Sequence, residues 1–129
     1  MTQGLLLFAH GARDPRWALP FEDVARRIRV LRPELALELA FLEFMAPDVL
    51  EAGQRLAAAG CRKVDVLPLF LGAGGHVRKD LPLLLERLAA LHPAVQWQLQ
   101  PAIGEAEAVI AAMAVEALRL LAASGEPAR

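Results

Sequence analysis

The chain has 129 residues, with 14 lysines and arginines, 15 aspartates and glutamates, and a formal net charge of −1. This length is typical of one domain, and the near-neutral charge argues against nucleic-acid binding, which normally needs a basic face. Although 56% of the residues are hydrophobic, no apolar run reaches the roughly 18 residues of a membrane span. Cys61 is the only cysteine, which excludes a disulfide framework and a thiolate metal cluster. The first residues lack the basic region of a signal peptide, so we expect a cytoplasmic protein.

The first half of the chain predicts two strand–helix pairs. The continuous apolar run Leu5–Ala9 is typical of a strand covered on both faces. A helix follows over Leu19–Leu31, where apolar residues recur at helical spacing and several arginines take the opposite face. The second strand, Leu35–Leu42, leads to a helix that opens at Ala46-Pro47-Asp48, with its proline in the first turn, and that Gly60 caps.

The second half predicts two more pairs. A strand over Arg62–Phe70 runs through glycines into a third helix, which begins near Arg78 to Leu81 and is stopped by His92-Pro93. A strand over Ala94–Leu99 then precedes the last helix, Glu105–Ala122. That helix is apolar on nearly every side, which predicts burial partly by the sheet and partly by a second copy of the chain. The alternative is that the first helix and the tail cover it.

These four pairs predict a single α/β domain over residues 1–123, followed by a loose tail over residues 124–129. Right-handed crossovers would give a three-layer αβα fold around a four-stranded parallel sheet with strand order 2-1-3-4. In such a sheet the chain reverses direction between strands 1 and 3. Ligands bind at that point, outside the carboxyl ends of the strands.

Two histidines follow the predicted strands 1 and 3. His10 comes directly after the first strand, and His76 follows three glycines within residues 71–75, where glycine permits positive φ and close approach to a ligand. The topology predicts that the histidines face each other across the crevice, with Glu43 at its edge. Two imidazoles and a carboxylate suit a divalent metal such as cobalt, iron, nickel or zinc, and imidazole is the natural base near neutral pH.

Each of these residues also has a structural interpretation. A histidine at a strand end is usually a loop residue, and Glu43 could be the first solvated residue after a buried strand. His92, which precedes Pro93 at a helix end, is interpreted as structural. Basic residues in the two histidine loops predict a locally positive mouth that suits a polyanionic substrate: Arg13, Arg16, Arg78 and Lys79. Apolar residues would form the walls for a flat hydrophobic body: Phe44, Met45, Phe70 and Leu71.

Three stretches, HGARDPRW, AFLEFMAPD and LPLFLGAGGHVRKDLP, resemble the small sirohydrochlorin chelatases, the cobaltochelatase and ferrochelatase enzymes of cobalamin and sirohaem synthesis. The resemblance implies a chelatase-like fold and a homodimer, since larger members carry two such units in one chain. It also implies that His10 is metal ligand and proton acceptor and that His76 is a second ligand. Glu43 is a further candidate ligand. The residues expected to contact the tetrapyrrole are Leu71, Gly72, Ala73, Gly74, Gly75, His76 and Met45, with Arg13 and Arg78 as partners of its carboxylates.

The function that this resemblance implies is insertion of Co²⁺, otherwise Fe²⁺ or Ni²⁺, into sirohydrochlorin. The metal would be a substrate, with no permanently bound cofactor, and the partners would be a tetrapyrrole and a second copy, without nucleic acid or membrane. One alternative is a metal or tetrapyrrole carrier that does not catalyse insertion. Another is a histidine phosphatase, although Ala9 stands where that chemistry needs an arginine before His10.

Overall fold

Four parallel strands form one sheet in the computed structural model of the chain, which describes residues 2–72 and 74–125, without the side chain of His76. The strands are β1 (Thr2–Ala9), β2 (Ala36–Phe41), β3 (Cys61–Pro68) and β4 (Gln96–Leu99). Their order is β2-β1-β3-β4, and each neighbouring pair is parallel. The predicted order 2-1-3-4 is therefore confirmed, and the strand bounds differ from the predicted ones by at most three residues.

Four helices follow the strands, as the periodicities predict. They are α1 (Leu19–Leu31), α2 (Val49–Ala58), α3 (Gly75–Leu91) and α4 (Glu107–Ser124), with 3₁₀ turns at Pro15–Ala18 and Ile103–Glu105. The bounds of α1 agree with the prediction. The end of α3 also agrees, since His92 is its C-cap residue.

The core lies on both faces of the sheet, which gives the three-layer arrangement. On one face, α2 and α3 pack their buried Leu56 and Leu88 against strand residues such as Val64. On the other face, Ala25 of α1 packs against Leu7 of β1 and Leu37 of β2. Residues of the central strands point alternately to the two faces and are buried on both, which explains why β1 appears in the sequence as a continuous apolar run.

The prediction that α3 begins near Arg78 to Leu81 is wrong, because the helix begins at Gly75. Gly74 is its N-cap, with an extended backbone at φ −72° and ψ 172°. The Arg78 N–H donates to the Gly74 carbonyl oxygen at 3.0 Å and closes the first turn. Residue 76 therefore lies in the first turn of a helix rather than in a loop.

The beginning of α2 also differs from the prediction, which placed Pro47 in its first turn. The backbone of Asp48 is extended, and its carboxylate accepts a hydrogen bond from the Glu51 N–H at 2.8 Å. Asp48 is therefore the N-cap, α2 begins at Val49, and Pro47 precedes the helix. Gly60, with φ +91°, ends the helix as predicted.

The predicted burial of α4 against its own sheet is wrong. All of its residues are described, and none is buried. Neither α1 nor the sheet covers it, and α4 extends from the 3₁₀ turn Ile103–Glu105 away from the rest of the chain. The helix runs to Ser124, one residue into the predicted tail, and residues 126–129 lie outside the described part. Within that part, no helix combines the length and the apolarity needed to cross a membrane.

Candidate active site

The loops after β1 and β2 are joined by backbone hydrogen bonds that place His10 beside Glu43. The Leu42 N–H donates to the Ala9 carbonyl oxygen and the Glu43 N–H to the His10 carbonyl oxygen, each at 3.0 Å. This contact needs the glycine at position 11, which has φ +92°. A Cβ atom on Gly11 would lie 1.8 Å from the Glu43 carbonyl oxygen. The absence of a side chain there lets the two loops touch.

An aromatic ring from the end of β3 supports the imidazole of His10. The rings of His10 and Phe70 are stacked, with centroids 4.2 Å apart and planes at 24°. Phe70 is itself buried, and it meets Phe8 edge-to-face at a centroid distance of 5.3 Å. His10 remains exposed to solvent. The core thus orients the imidazole and leaves it accessible to a ligand.

His10 and Glu43 open into a cleft of about 700 Å³. Its walls come from the loops after β1 and β2 and from one side of α3, and its lining residues are His10, Leu42, Glu43, Val77, Asp80, Leu81, Leu83, Leu84 and Arg87. Most of these side chains are apolar, and four ionisable groups stand among them. The cleft lies outside the carboxyl ends of β1 and β2 and borders α3, which follows β3, whereas the topology predicts a ligand between β1 and β3.

Arg87 is the cation of this cleft, and no ion pair involves it among the described residues. Two arginines of the predicted positive mouth are engaged elsewhere. Arg13 lies over the ring of Phe44, 4.9 Å from its centroid, and Arg16 bonds to Asp14 at 2.8 Å. The hydrogen bonds from Arg16 hold the pKa of the Asp14 carboxyl below its ordinary value. The basic residue that faces the cleft is therefore Arg87 of α3 and not an arginine of the loop after β1.

Arg78 lies on a different side of α3. It lines a separate groove of about 290 Å³ together with Gln100 and Glu105. Leu81 borders both cavities. The structure therefore does not bring Arg78 together with His10.

The glycines at the start of α3 do not have the backbone conformation that the sequence predicts. Gly72, Gly74 and Gly75 are exposed, and none has positive φ. A Cβ atom on any of them would meet no atom within 4 Å. The absence of side chains leaves open space in front of α3, so close approach of a ligand there stays a prediction. Leu71 is also exposed, and Ala73 lies outside the described residues.

The residues predicted to form the apolar walls lie in different parts of the structure. Phe70 is buried under His10, whereas Phe44 is 58% exposed in the left-handed region, at φ 67°. A bulky residue rarely adopts this conformation. Met45 is half-buried in a second cavity beside Arg16 and Phe41. Met45 therefore does not line the cleft of His10.

The predicted metal ligands are only partly visible in the structure. His10 and Glu43 share the cleft, whereas the side chain of His76 lies outside the described part of the chain. Among the described side chains, no three His, Cys, Asp or Glu residues form a group that could hold a metal ion. A three-ligand site therefore stays a prediction.

Sequence reasoning missed most of the α3 side of the cleft. Val77, Asp80, Leu84 and Arg87 recur at intervals of three and four residues and so share one side of the helix. This signal was present in the sequence. It was missed because the helix was predicted to begin after Val77.

The comparisons with known proteins agree with this fold. A family model described as CbiX matches residues 4–119. The chain belongs to the CbiX family. This membership confirms the predicted resemblance to the sirohydrochlorin chelatases.

Individual relatives support the same assignment. The protein named sirohydrochlorin cobaltochelatase from Sulfurisphaera tokodaii is 37% identical over 87 residues, which are 66% of this chain and 69% of the relative. A solved structure of a CbiX protein from Marinobacter aquaeolei has a TM-score of 0.81 and 33% identity, and the match covers 92% of this chain and 97% of that one. SirB from Bacillus subtilis with Fe³⁺ has a TM-score of 0.80 and 24% identity, and shares the fold. That match covers 98% of this chain and 49% of SirB.

Proposed function

We propose that this chain inserts Co²⁺, or otherwise Fe²⁺ or Ni²⁺, into sirohydrochlorin. The observation that carries the proposal is the pairing of His10 and Glu43 at the mouth of a largely apolar cleft. The relative from Sulfurisphaera tokodaii bears the name of this activity. An apolar wall accepts the face of a macrocycle, while an imidazole and a carboxylate offer ligands to a borderline metal and acceptors to a proton.

The reaction exchanges one divalent ion for two pyrrole N–H protons. In this proposal the metal is held by His10, Glu43 and His76, and His10 also accepts a proton as metal–nitrogen bonds form. Phe70, stacked on His10, keeps the imidazole oriented toward the cleft. Leu42, Val77 and Leu84 would contact the ring, and Arg87 would pair with a peripheral carboxylate. The metal enters and leaves as substrate, so no resident cofactor is invoked.

We also propose a cytoplasmic homodimer as the working form. The cleft of one unit leaves His10 exposed to solvent, and the SirB chain, about half of which this chain matches, is long enough for two units. A second copy would take the place of that second unit.

Insertion assays with matched histidine variants test the function. Sirohydrochlorin is mixed with each of the three ions, and the absorbance change on insertion is followed against the enzyme-free rate. His10→Ala should slow insertion by about 10²–10⁴-fold, the usual contribution of a general base. His92→Ala is the control, because His92 is the C-cap of α3 beside Trp97 and is not among the residues that line the cleft.

The outcomes separate catalysis from carriage. Acceleration by the wild type and by His92→Ala, with loss in His10→Ala, supports the proposal. Tight binding of metal or tetrapyrrole without acceleration for any ion would show a carrier. Equal activity of His10→Ala and wild type would place the chemistry elsewhere.

A further inference from the structure

The cleft that contains His10 continues past Arg87 into a smaller side pocket. Leu42, Leu84 and Arg87 line both cavities. The side pocket has a volume of about 210 Å³ and lies between the end of β2, the first turn of α2 and α3, and its other lining residues are Phe41, Asp48, Val49 and Leu50. It is therefore a lateral extension of the cleft, with apolar walls and two charged groups among its described lining residues.

The walls of the side pocket are held in place by the core. Phe41 and Val49 are buried. The Phe41 N–H donates to the Pro47 carbonyl oxygen at 2.9 Å, which joins the end of β2 to the residues before α2. The three leucines of the pocket pack against the core cluster that contains Val49. The apolar wall is thus already formed before any ligand binds.

The two charged groups of the side pocket differ in how firmly they are held. The Asp48 carboxylate accepts a hydrogen bond from the Glu51 N–H at 2.8 Å, which fixes it as the N-cap of α2. Arg87 is exposed, and no ion pair joins it to Asp48 among the described residues. Because Arg87 also borders the cleft and Asp48 does not, an anion that enters from the cleft meets the cation first and the fixed carboxylate further in.

The size of the side pocket limits what it can hold. Ligand pockets usually have volumes of about 300–1,000 Å³, a range that includes the cleft, at about 700 Å³, but not the side pocket, at about 210 Å³. The side pocket is too small for a macrocycle and large enough for one of its substituents. A carboxylate on a short aliphatic chain matches its chemistry, because the chain would contact the apolar walls and the carboxylate would pair with Arg87.

We propose that the side pocket binds one carboxylate arm of the tetrapyrrole, with Arg87 holding the carboxylate at the entrance and Asp48 repelling an arm that reaches further in. This rests on the function proposed above, since it requires the tetrapyrrole to lie in the cleft of His10. Asp48 is then a specificity-determining residue, because its fixed charge favours a short acidic arm over a longer one. One anchored arm would also fix the rotation of the ring within the cleft.

Equilibrium binding of metal-free sirohydrochlorin, followed by the fluorescence of the tetrapyrrole, tests the side pocket without the insertion step. Leu50→Trp would fill the pocket from α2, and the fold should tolerate the larger side chain because Leu50 is only half-buried. The dissociation constant should rise at least about tenfold, the usual effect of losing a hydrogen bond to a charged group. Leu91→Trp is the control, because Leu91 is exposed and lines neither cavity. Circular dichroism and thermal unfolding verify that both variants are folded.

The double variant Arg87→Ala with Leu50→Trp tests whether the two residues act on the same arm. Each single variant should weaken binding. The double variant should weaken binding little more than either single one, because the arm is already displaced. Effects that add in the logarithm of the dissociation constant would show that Arg87 pairs with a carboxylate outside the side pocket, and would overturn the proposal.

Asp48→Asn tests the role of the fixed charge. Asparagine caps a helix about as well as aspartate does, so α2 should remain folded and only the charge is lost. Binding should tighten about two- to fivefold, the size of an interaction between exposed charges. Asp23→Asn removes one negative charge from α1, away from both cavities, and should leave binding unchanged.

The outcomes distinguish this proposal from the proposed function. A wild type that does not bind sirohydrochlorin would overturn both. If the wild type binds it, equal binding by Leu50→Trp would overturn the side pocket as the site of an arm. Unchanged binding by Asp48→Asn would overturn the role of its charge, and the proposed function would stand in both cases.

Discussion

Gly11 determines whether the two loops of the cleft can meet. With φ at +92°, a Cβ atom at this position would lie only 1.8 Å from the Glu43 carbonyl oxygen, which excludes any other residue without distortion. The hydrogen bond from the Glu43 N–H to the His10 carbonyl oxygen lies at the same point. A single backbone position thus controls the spacing of the imidazole and the carboxylate.

Gly11→Ala should therefore reduce both stability and insertion. The left-handed conformation alone costs an alanine about 1–2 kcal/mol, and the clash adds to this. Gly60→Ala is a matched control, because Gly60 has φ +91° and a Cβ atom there would meet nothing within 4 Å. Urea unfolding should show a larger loss of the free energy of unfolding for Gly11→Ala than for Gly60→Ala. The insertion rate should fall for Gly11→Ala and be retained for Gly60→Ala. Equal stability and equal rates for the two variants would refute the role of this contact.

Arg87 is the residue for which we expect a specific effect on substrate binding. Arg87→Ala should raise KM for sirohydrochlorin about three- to tenfold with little change in kcat, the pattern of lost uniform binding. The difference should shrink at high salt, because the side chain is exposed and its charge is screened. Steady-state kinetics at two ionic strengths measure this difference in KM between the variant and the wild type.

Arg78→Ala provides the comparison for Arg87. Arg78 is on the same helix but lines the groove beside Gln100 and Glu105, so its loss should change KM less. A KM increase for Arg78→Ala that exceeds that for Arg87→Ala would restore the sequence-based assignment of the substrate carboxylates.

Among the elements, α3 combines a structural side and a cleft side. Leu88 is fully buried in the cluster with α2 and β4, whereas Val77, Leu84 and Arg87 border the cleft. Leu91 is 59% exposed near the helix end. The helix therefore positions the cleft wall through contacts made on its other side.

Leu88→Ala should destabilise the fold by about 2–5 kcal/mol, the usual cost of a large cavity in a core. Leu91→Ala, on the same helix and with the same change of side chain, should cost less than about 1 kcal/mol because the leucine is largely exposed. Thermal and urea unfolding measure the stabilities of the two variants. If both variants lost the same stability, the packing assigned to α3 would be incorrect.

For the molecule as a whole, the question is how one unit encloses a macrocycle. Its cleft is open on the side away from α3 and the two loops, and the proposed homodimer would provide a second unit. Neither the open side of the cleft nor the homodimer follows from any one residue, because both depend on how complete units are arranged.

Dilution tests whether the dimer is the active form. If the partner completes the site, insertion per chain should fall as the concentration drops below the dissociation constant of the dimer. Light scattering on the same samples reports the fraction of dimer, and the two curves should coincide. Full activity per chain in a sample that is entirely monomeric would show that one unit is sufficient.

Local sequence patterns were sufficient to predict the strands and helices of this protein and their order in the sheet. Apolar periodicities, helix caps and the alternation of strands with helices depend on neighbouring residues, so they predicted the bounds of α1, the end of α3 and the strand order. The same alternation placed His10 and Glu43 at neighbouring strand ends, because parallel strands bring their carboxyl ends to one edge.

Contacts in the folded chain were needed to establish which side chains share the cleft and where α4 lies. The prediction of basic residues in the histidine loops assigned them to the mouth, but Arg13 contacts Phe44 and Arg16 contacts Asp14, while Arg87 reaches the cleft from α3. The apolar pattern of α4 predicted burial against the sheet, yet no residue of this helix is buried in the single chain. Such outcomes depend on contacts between residues far apart in the chain, which no local pattern encodes.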